Sequence, residues 1–236
     1  LERLKLSKSP RALVVNFPQN PTAAVATEAL FKQLVAFAEA RDLFIISDIA
    51  YCDMVFDGPP APSILQTPGA RDRCIELMSL SKSYNMPGWR IGFAAGNQGL
   101  IAALARVKSY LDYGVFAPIQ AAAVVALEQC DAEVAGIREL YRKRRDALCR
   151  SFTAAGWEIP VPAATMFAWA PIPEPLRSIG SLEFSRRLIE EAGVAVAPGI
   201  GFGPAGEGFV RLALIEDEPR LEQAAQRVGQ FLAKVK

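Results

Sequence analysis

The sequence predicts an α/β fold in which a doubly wound, mostly parallel sheet with one antiparallel strand precedes a smaller C-terminal α+β domain. Short apolar runs in the first half alternate with helical segments, which is typical of buried parallel strands. A long helical pattern then separates this half from a second half of short strands and Pro-rich turns. The 236 residues are enough for one large domain with a small companion.

The first half contains four predicted strands. They are "ALVVNF" at 12–17, "LFIISDIAY" at 43–51, "CIELMSLS" at 74–81 and "RIGFAAGN" at 90–97. The second and third strands each follow a segment long enough for a crossover, whereas the fourth is reached by a short connection and is expected to be antiparallel. Thr27 is a predicted N-cap for the first amphipathic helix. Residues 98–130 are predicted to be helical with a break at "YGVFAP".

A long helix is predicted at the start of the second half, and the change of pattern on either side of it divides the chain into three regions. Residues 1–133 form the first domain, 134–155 the connecting helix and 156–236 the small domain. A basic cluster on the helix, Arg142 to Arg145, is interpreted as a solvated face, because no interleaved aromatic residues support nucleic-acid binding. Strands are predicted in "MFAWAPI" and "GFVRLALI", and helices in "SLEFSRRLIEEAG" and "PRLEQAAQRVGQFLAKV".

Composition excludes several classes of function. Lys plus Arg (26) nearly balance Asp plus Glu (25), so no global charge favours nucleic acid or an anionic membrane. The longest apolar runs are too short to span a bilayer, and the first residues lack a basic-then-apolar signal pattern, so we expect a cytoplasmic protein. The absence of histidine removes the usual zinc sites and Ser-His or Cys-His catalysis. The four cysteines lack CxxC spacing and are interpreted as reduced thiols.

Polar residues lie where each predicted strand ends, and packing of an apolar core does not explain them at these positions. They are Asn16 and Asn20 after the first strand, Asp48 and Tyr51 after the second, Ser79, Ser81 and Lys82 after the third, and Arg90 shortly beyond. Ligands of open parallel sheets bind at the carboxyl ends of the strands, so we expect these side chains to share one edge. Taken singly, each has a structural alternative: Asp48 can cap a turn, and Arg90 can pair with a surface acid.

Pyridoxal phosphate (PLP) catalysis requires this combination of groups. A lysine such as Lys82 forms a Schiff base with the aldehyde, an acid such as Asp48 holds the ring nitrogen protonated, and cationic or hydroxyl donors hold the phosphate. The released lysine amine can itself carry the proton, so a protein without histidine can run this chemistry.

Four sequence blocks resemble the signature blocks of the class I aminotransferases of PLP fold type I. In chain order they are "NFPQNPTA", "SDIAYCDMVFDG", "SLSKSYNMPGWRIGF" and "FVRLALIE". The connecting text is similar to that of bacterial alanine (glutamate–pyruvate) transaminases, a subgroup close to the LL-diaminopimelate aminotransferases. The resemblance implies a PLP-transferase fold, with part of the large-domain sheet and a C-terminal small domain. Ala23 departs from the common NPTG pattern, which this subgroup tolerates.

The resemblance also implies a role for each site residue. Lys82 is implied as the Schiff-base lysine and proton carrier, and Asp48 as the partner of the pyridinium nitrogen. Asn20 and Tyr51 would hydrogen-bond the phenolate oxygen of the ring. Arg211, in "FVRLAL", would bind the substrate α-carboxylate together with Asn20. The phosphate ligands are implied to be Ser79, Ser81 and Arg90.

The function that this implies is transfer of an amino group between a small amino acid (alanine, glutamate or aspartate) and a 2-oxo acid, by a ping-pong Schiff-base mechanism. One alternative is an LL-diaminopimelate aminotransferase. An alternative of another class is a non-catalytic, effector-binding aminotransferase-like domain, or an inactive fragment. The resemblance implies a homodimer in which the loop 109–118 reaches the neighbouring site.

The sequence begins with Leu and lacks a region that precedes these blocks in the family, so we expect an N-terminally truncated chain with weak or absent activity. The four predicted strands are expected to lie side by side with two unprotected edges. The Asn20–Pro21 peptide is predicted to be cis. The glycine-rich "GIGFGPAG" at 199–206 lacks the strand–turn–helix context of a dinucleotide loop, and the resemblance implies a loop near the substrate entrance.

Overall fold

The computed structural model describes residues 9–234, which divide into two compact units. Among these residues, unit 1 comprises 9–18, 25–53 and 59–134. Unit 2 comprises 135–234 and two short segments, 19–24 and 54–58, that interrupt unit 1 along the chain. The break at 134/135 is close to the end of the first predicted domain, and the predicted three-part domain organisation stays a prediction.

Unit 1 contains a four-stranded sheet in the order β1-β2-β3-β4. Its strands are β1 (Ala12–Asn16), β2 (Phe44–Asp48), β3 (Cys74–Ser79) and β4 (Gly92–Gly96). The first three are parallel and β4 pairs antiparallel with β3, as the sequence predicts. The predicted strands therefore lie side by side. Gly92 and Gly96 allow β4 to approach β3 closely. A Cβ at Gly92 would lie 2.3 Å from the Met78 carbonyl oxygen, and one at Gly96 would lie 2.3 Å from that of Cys74.

Helix α1 (Glu28–Glu39) packs its apolar face on this sheet. Thr27 caps it, as predicted, because its side chain accepts a hydrogen bond from the Leu30 amide at 3.1 Å. Phe31, fully buried, belongs to the cluster that includes Ile45 of β2. Three further helices complete unit 1: the single turn α2 (Leu80–Ser83), α3 (Gln98–Leu111) and α4 (Ala117–Gln129). The break between α3 and α4 is at the predicted "YGVFAP" segment.

Unit 2 contains most of the long helix α5 (Asp131–Ala154) and a three-stranded antiparallel sheet in the order β5-β7-β6. Its strands are β5 (Phe167–Pro171), β6 (Ala197–Pro198) and β7 (Phe209–Ala213). Helices α6 (Ser181–Arg187), which continues as a π-helical turn to Ala192, and α7 (Glu218–Ala233) pack with α5 around one core. Among the described residues, no helix combines the length and apolarity needed to cross a bilayer.

The interpretation of Arg142 to Arg145 as one solvated face is wrong for Arg145. Its side chain is only 5% exposed, whereas that of Arg142 is 39% exposed. The physical reason is that Asp57, a residue of the inserted segment 54–58, pairs with the Arg145 guanidinium in unit 2. Helix periodicity alone does not reveal a counter-charge 88 positions away in the chain.

Candidate active site

The sheet register of unit 1 places three predicted polar residues on one face. Asn16 is opposite Asp48 in the β1–β2 pairing, and Asp48 is opposite Leu77 in the β2–β3 pairing. Since side chains alternate between faces, Ser79, two residues beyond Leu77, lies on the same face as Asp48. The carboxyl ends of the parallel strands therefore present an amide, a carboxylate and a hydroxyl together.

Backbone hydrogen bonds fix the position of Asp48. Its carboxylate accepts a hydrogen bond from the Ala50 amide at 3.0 Å, and its main-chain carbonyl accepts from the Asn16 side chain at 3.0 Å. The same carbonyl accepts from the Phe17 amide at 3.2 Å. Asp48 therefore caps the turn after β2, as its structural alternative requires, and remains half-buried at the strand end.

Lys82 projects from α2, the single helical turn that follows β3 directly. Ser79 caps this turn by accepting a hydrogen bond from the Ser81 amide at 3.2 Å. The Lys82 ammonium nitrogen lies 5.9 Å from the centroid of the Tyr51 ring, and Tyr51 is buried with 6% of its surface exposed. The structure thus brings together the amine and the phenol that follow two different strands.

Cys52 is adjacent to Tyr51, and its thiol is not available as a second nucleophile. Burial raises the pKa of Cys52 to about 12, and the negative charge of Asp53 acts in the same direction. The thiol therefore stays protonated at neutral pH. Burial likewise raises the pKa of Cys74 and of Cys149 to about 11. All four cysteines are free, in agreement with the predicted reduced thiols.

Arg90 lies just before β4 in a left-handed backbone conformation, with φ of 51°. It is exposed, and its guanidinium Nη1 donates a hydrogen bond to the Pro87 carbonyl at 2.9 Å. This bond closes the turn formed by Pro87, Gly88 and Trp89. The guanidinium is therefore held close to its own turn. The ion pairs of the described residues do not include Arg90, so they do not support the structural alternative in which it pairs with a surface acid.

The remaining two predicted site residues, Asn20 and Arg211, both belong to unit 2 and contact each other. Arg211, in the centre of β7, donates from Nη1 to the Asn20 Oδ1 at 2.7 Å. The Asn20–Pro21 peptide is cis, as predicted, and so is Phe17–Pro18, which the sequence analysis did not anticipate. This hydrogen bond joins two residues that are 191 positions apart in the chain, and their shared carboxylate site stays a prediction.

Two aromatic residues that the sequence analysis did not single out flank Arg211. Its guanidinium carbon lies 4.1 Å from the Phe167 ring centroid and 4.8 Å from the Phe202 ring centroid. Trp169, opposite Arg211 in the β5–β7 register, lies edge-on to Phe202 at 5.7 Å. The two-residue spacing of Phe167 and Trp169 in "MFAWAPI" predicts that both lie on one face of a strand, but it reveals neither Phe202 nor Arg211 as their neighbour.

The described residues contain no group of three or more Cys, Asp and Glu arranged to hold a metal ion. The structure thus gives two constellations, one in each unit. Unit 1 holds Asp48, Tyr51, Ser79, Ser81, Lys82 and Arg90, and unit 2 holds Asn20 and Arg211.

Comparison with known proteins identifies the family of this chain. The family "Aminotransferase class I and II" matches residues 1–228. The chain is 55% identical to AatC of Rhizobium meliloti, named as an aminotransferase, over 95% of the chain and 55% of that protein. It is 50% identical to glutamate-pyruvate aminotransferase AlaC of Escherichia coli, over 93% and 53% of the two chains. It is 43% identical to LL-diaminopimelate aminotransferase 2 of Trichormus variabilis, over 95% and 57%.

Solved structures give the same result for the fold. A probable N-succinyldiaminopimelate aminotransferase of Thermus thermophilus superimposes with a TM-score of 0.87 at 41% identity, over 93% of this chain and 58% of that one. The chain therefore spans a little over half the length of the relatives that it matches. The predicted α/β fold of the PLP-dependent transferases, with its mostly parallel sheet, is confirmed. This chain belongs to the class I and II aminotransferases, a family of PLP-dependent enzymes.

Proposed function

We propose that this chain supplies the PLP-binding lysine and the substrate-carboxylate arginine of an aminotransferase. The reaction moves an amino group between a small amino acid, such as alanine, glutamate or aspartate, and a 2-oxo acid in two successive half-reactions. The observation that carries the proposal is the position of Lys82 at the end of β3, with its amine 5.9 Å from the Tyr51 ring and Asp48 ending the neighbouring strand. Family membership supports the same reaction.

The donor set of unit 1 fits PLP. The phosphate requires hydrogen-bond donors and positive charge, which the Ser79 and Ser81 hydroxyls and the Arg90 guanidinium can supply. The pyridine nitrogen requires an acid, and Asp48 is the carboxylate that ends β2. When bound, PLP supplies an electrophilic carbon for the amine and a ring that accepts electrons from the substrate Cα.

Lys82 has two tasks in this proposal. Its Nζ would hold the cofactor at the aldehyde carbon, and the free amine would move a proton to and from the substrate Cα. The neighbouring Tyr51 hydroxyl orients the cofactor by donating to its phenolate oxygen. Asp48 holds the proton on the pyridine nitrogen, because a carboxylate accepts a hydrogen bond from the protonated ring and stabilises its charge.

Arg211 and Asn20 serve substrate binding. A guanidinium presents two parallel N–H donors that match a carboxylate, and the aromatic rings on either side of Arg211 restrict its plane. Asn20 accepts a hydrogen bond from Nη1, which supports a role in orienting the guanidinium, and in the proposal it contacts the same ligand. In the proposal, Asn20 also contacts the cofactor phenolate oxygen.

Alanine and glutamate are the proposed amino donors, with pyruvate and 2-oxoglutarate as the acceptors. The supporting observation is the 50% identity to the glutamate-pyruvate aminotransferase, against 43% for the LL-diaminopimelate relative. A cytoplasmic homodimer is part of the same proposal, with the loop 109–118 contributing to the neighbouring site. Sedimentation of the purified protein across a range of concentrations tests the dimer.

The first experiment is the absorption spectrum of the purified chain between about 300 and 500 nm after addition of PLP. We expect a band near about 400 nm that shifts when alanine or glutamate is added. Lys82→Ala is expected to abolish this band. Lys108→Ala is the matched control, since Lys108 is an exposed lysine of unit 1 that pairs with Asp112.

The outcomes separate the competing functions. A Lys82-dependent band that shifts with alanine but not with LL-diaminopimelate supports the proposed substrates, and the reverse preference supports the alternative. A band that survives in Lys82→Ala would contradict the role of this lysine. A Lys82-dependent band that no amino acid shifts would favour the non-catalytic, effector-binding class.

A further inference from the structure

Arg145 is a buried arginine of α5 that the proposed chemistry does not use. Its guanidinium donates to the Asp57 carboxylate, to Asp146 through Nε at 2.8 Å, and to the Pro162 carbonyl at 3.4 Å. Burial alone would lower the pKa of Arg145, but the hydrogen bonds that it donates to Asp57 and Asp146 outweigh this effect, and the pKa is raised. Arg145 therefore remains charged in the interior of unit 2 and is satisfied from three directions.

Asp57 belongs to a short segment, residues 54–58, that we name the strap. The strap begins three positions after Tyr51 in the chain, yet it is folded into unit 2. Backbone pairing holds it there: the Phe56 amide donates to the Ala163 carbonyl and the Thr165 amide donates to the Met54 carbonyl, each at 2.9 Å. The Arg145 guanidinium carbon lies 5.1 Å from the centroid of the Phe56 ring, so Arg145 contacts the side chains of both Phe56 and Asp57.

The strap is connected to Arg211 through the residues that precede β5. Thr165, which donates to the strap, is buried and has a positive φ of 69°. Its hydroxyl accepts a hydrogen bond from the Phe167 amide at 3.2 Å. Phe167 is the ring that lies 4.1 Å from the Arg211 guanidinium. A continuous series of contacts within unit 2 thus leads from Arg145 to the flank of Arg211.

We infer that Arg145 is a positioning residue: by holding the strap and Pro162, it fixes Phe167 against Arg211 and so sets the plane of the carboxylate-binding guanidinium. The inference rests on the proposed role of Arg211 and adds a residue that does not touch the substrate. A residue that served stability alone would lower the melting temperature without changing the environment of Arg211. The two roles therefore differ in a measurable way.

The test uses the full chain and two measurements. The first is the side-chain Nε–H resonance of Arg211 in a ¹H–¹⁵N spectrum, assigned with Arg211→Lys. Aromatic rings on both sides shift this resonance, so Phe167→Leu defines its position when one ring is lost. The second is the dissociation constant for pyruvate, measured by calorimetry in the presence of PLP, with Arg211→Gln defining binding that does not use Arg211.

Two variants perturb the proposed contact between Arg145 and the strap, and a third is the matched control. Arg145→Met replaces the buried guanidinium with an apolar side chain of similar length, and Asp57→Asn weakens only the bond to the strap. Arg150→Met removes another arginine of α5, whose pair with Glu222 at 3.8 Å is exposed. Thermal melting of each variant verifies that it is folded.

In Arg145→Met and in Asp57→Asn, we expect the Arg211 resonance to move toward the position that it has in Phe167→Leu. In the control Arg150→Met, the resonance should stay at its wild-type position. Pyruvate affinity is expected to fall about fivefold in Arg145→Met. The double variant Arg145→Met/Phe167→Leu should bind no more weakly than the weaker single variant, since both changes act through one ring.

An unmoved Arg211 resonance in folded Arg145→Met and Asp57→Asn would overturn the inference, and so would equal shifts in the Arg150→Met control. If pyruvate binding is the same in wild type and Arg211→Gln, the proposed role of Arg211 fails, whereas the resonance still decides whether Arg145 positions it. The two failures are therefore distinguishable.

Discussion

The two units differ in how completely they bury their apolar side chains. Unit 2 has one continuous core in which Phe152, Trp157, Phe184 and Phe231 meet ring against ring, with centroid separations of 5.5 to 6.4 Å. The buried residues of unit 1 fall into smaller clusters, one around α1 and another around Leu80. Unit 2 therefore has one continuous core in which aromatic side chains pack closely.

Unit 1 also exposes large apolar side chains on its last two helices and the segment that joins them. Tyr110 is 78% exposed, Tyr113 92% and Phe116 72%. On β1, Val14 is 73% exposed, so this face of the strand is uncovered, and the predicted unprotected edges of the sheet stay a prediction. The comparison teaches that the proposed cofactor-binding residues other than Asn20 lie in the less completely covered unit. Asn20 and Arg211, the proposed carboxylate-binding arginine, lie in the well-packed one.

The largest expected effect is in the core of unit 2. Phe184 is fully buried and meets Trp157 edge-on at 5.5 Å, so Phe184→Ala removes its transfer free energy and leaves a cavity. We expect the free energy of unfolding to fall by about 3–5 kcal/mol. Urea unfolding followed by tryptophan fluorescence measures it, since Trp157 reports directly on this core.

Tyr110→Ala in unit 1 is the contrasting control. Because this side chain is 78% exposed, the same measurement should change by no more than about 0.5 kcal/mol. A loss as large as that of Phe184→Ala would show that Tyr110 is covered in solution, and the contrast between the units would not hold.

A smaller effect is expected from the buried carboxylate of unit 1. Glu76 of β3 is 6% exposed and accepts hydrogen bonds from the Ser63 hydroxyl at 2.6 Å and the Ile64 amide at 2.8 Å. Glu76→Gln loses one acceptor oxygen, which leaves a buried donor without its bond and costs about 1–3 kcal/mol. Hydrogen exchange at the Ile64 amide should accelerate, and it should not in Glu128→Gln, a change on the exposed side of α4. Unchanged exchange in Glu76→Gln would show that this carboxylate does not stabilise unit 1.

Unit 2 is expected to depend on pH through Glu207. Hydrogen bonds from the Gly208 amide and the Ser181 amide lower the pKa of this carboxyl, and the Ser181 hydroxyl adds to them. A lowered pKa in the folded state means that the contribution is present above the unfolded value of about 4.3 and is lost as pH falls through the folded value. Glu207→Gln should therefore melt earlier than wild type at pH 7, and the two should converge in acid.

Glu174→Gln is the control for this experiment, because Glu174 is 82% exposed and its ion pair is with Arg177, three residues further along the chain. Its melting temperature should stay close to that of the wild type across the range. Parallel pH profiles for wild type and Glu207→Gln would contradict the prediction.

The sequence predicted the elements whose causes are local or periodic. Apolar runs predicted β1 to β3, and the short connection before residue 92 predicted that β4 is antiparallel. Lys82 was found because a polar group after a buried strand is anomalous, and the roles of Asn20 and Arg211 came from the family resemblance. Their hydrogen bond spans 191 positions, so no local pattern contains it.

Arg145 shows why the rest was not predictable. On a helical wheel it is one of several basic residues, and its burial depends on Asp57, which reaches it only because the strap leaves unit 1 along the chain. In the sequence, Phe167 and Phe202 are ordinary apolar residues, because their contact with Arg211 also depends on segments that are distant in the chain. A guanidinium flanked by two rings is a property of the assembled sheet and loop, not of either segment alone.

The smallest expected effects come from the helix N-caps, which separate the contribution of local hydrogen bonds from that of core packing in the two units. Thr27 caps α1 in unit 1 and Asp217 caps α7 in unit 2, each by accepting a backbone N–H at about 3 Å. Replacing either with alanine should cost about 1 kcal/mol, because a cap satisfies the same orphan donor whatever core lies beneath. Thr27→Ser and Asp217→Asn retain the acceptor oxygen and should cost little. Hydrogen exchange within each helix reports the local loss. Equal losses assign the difference between the units to core burial, whereas a much larger loss at Thr27 would show that α1 depends on its cap because its packing is weaker.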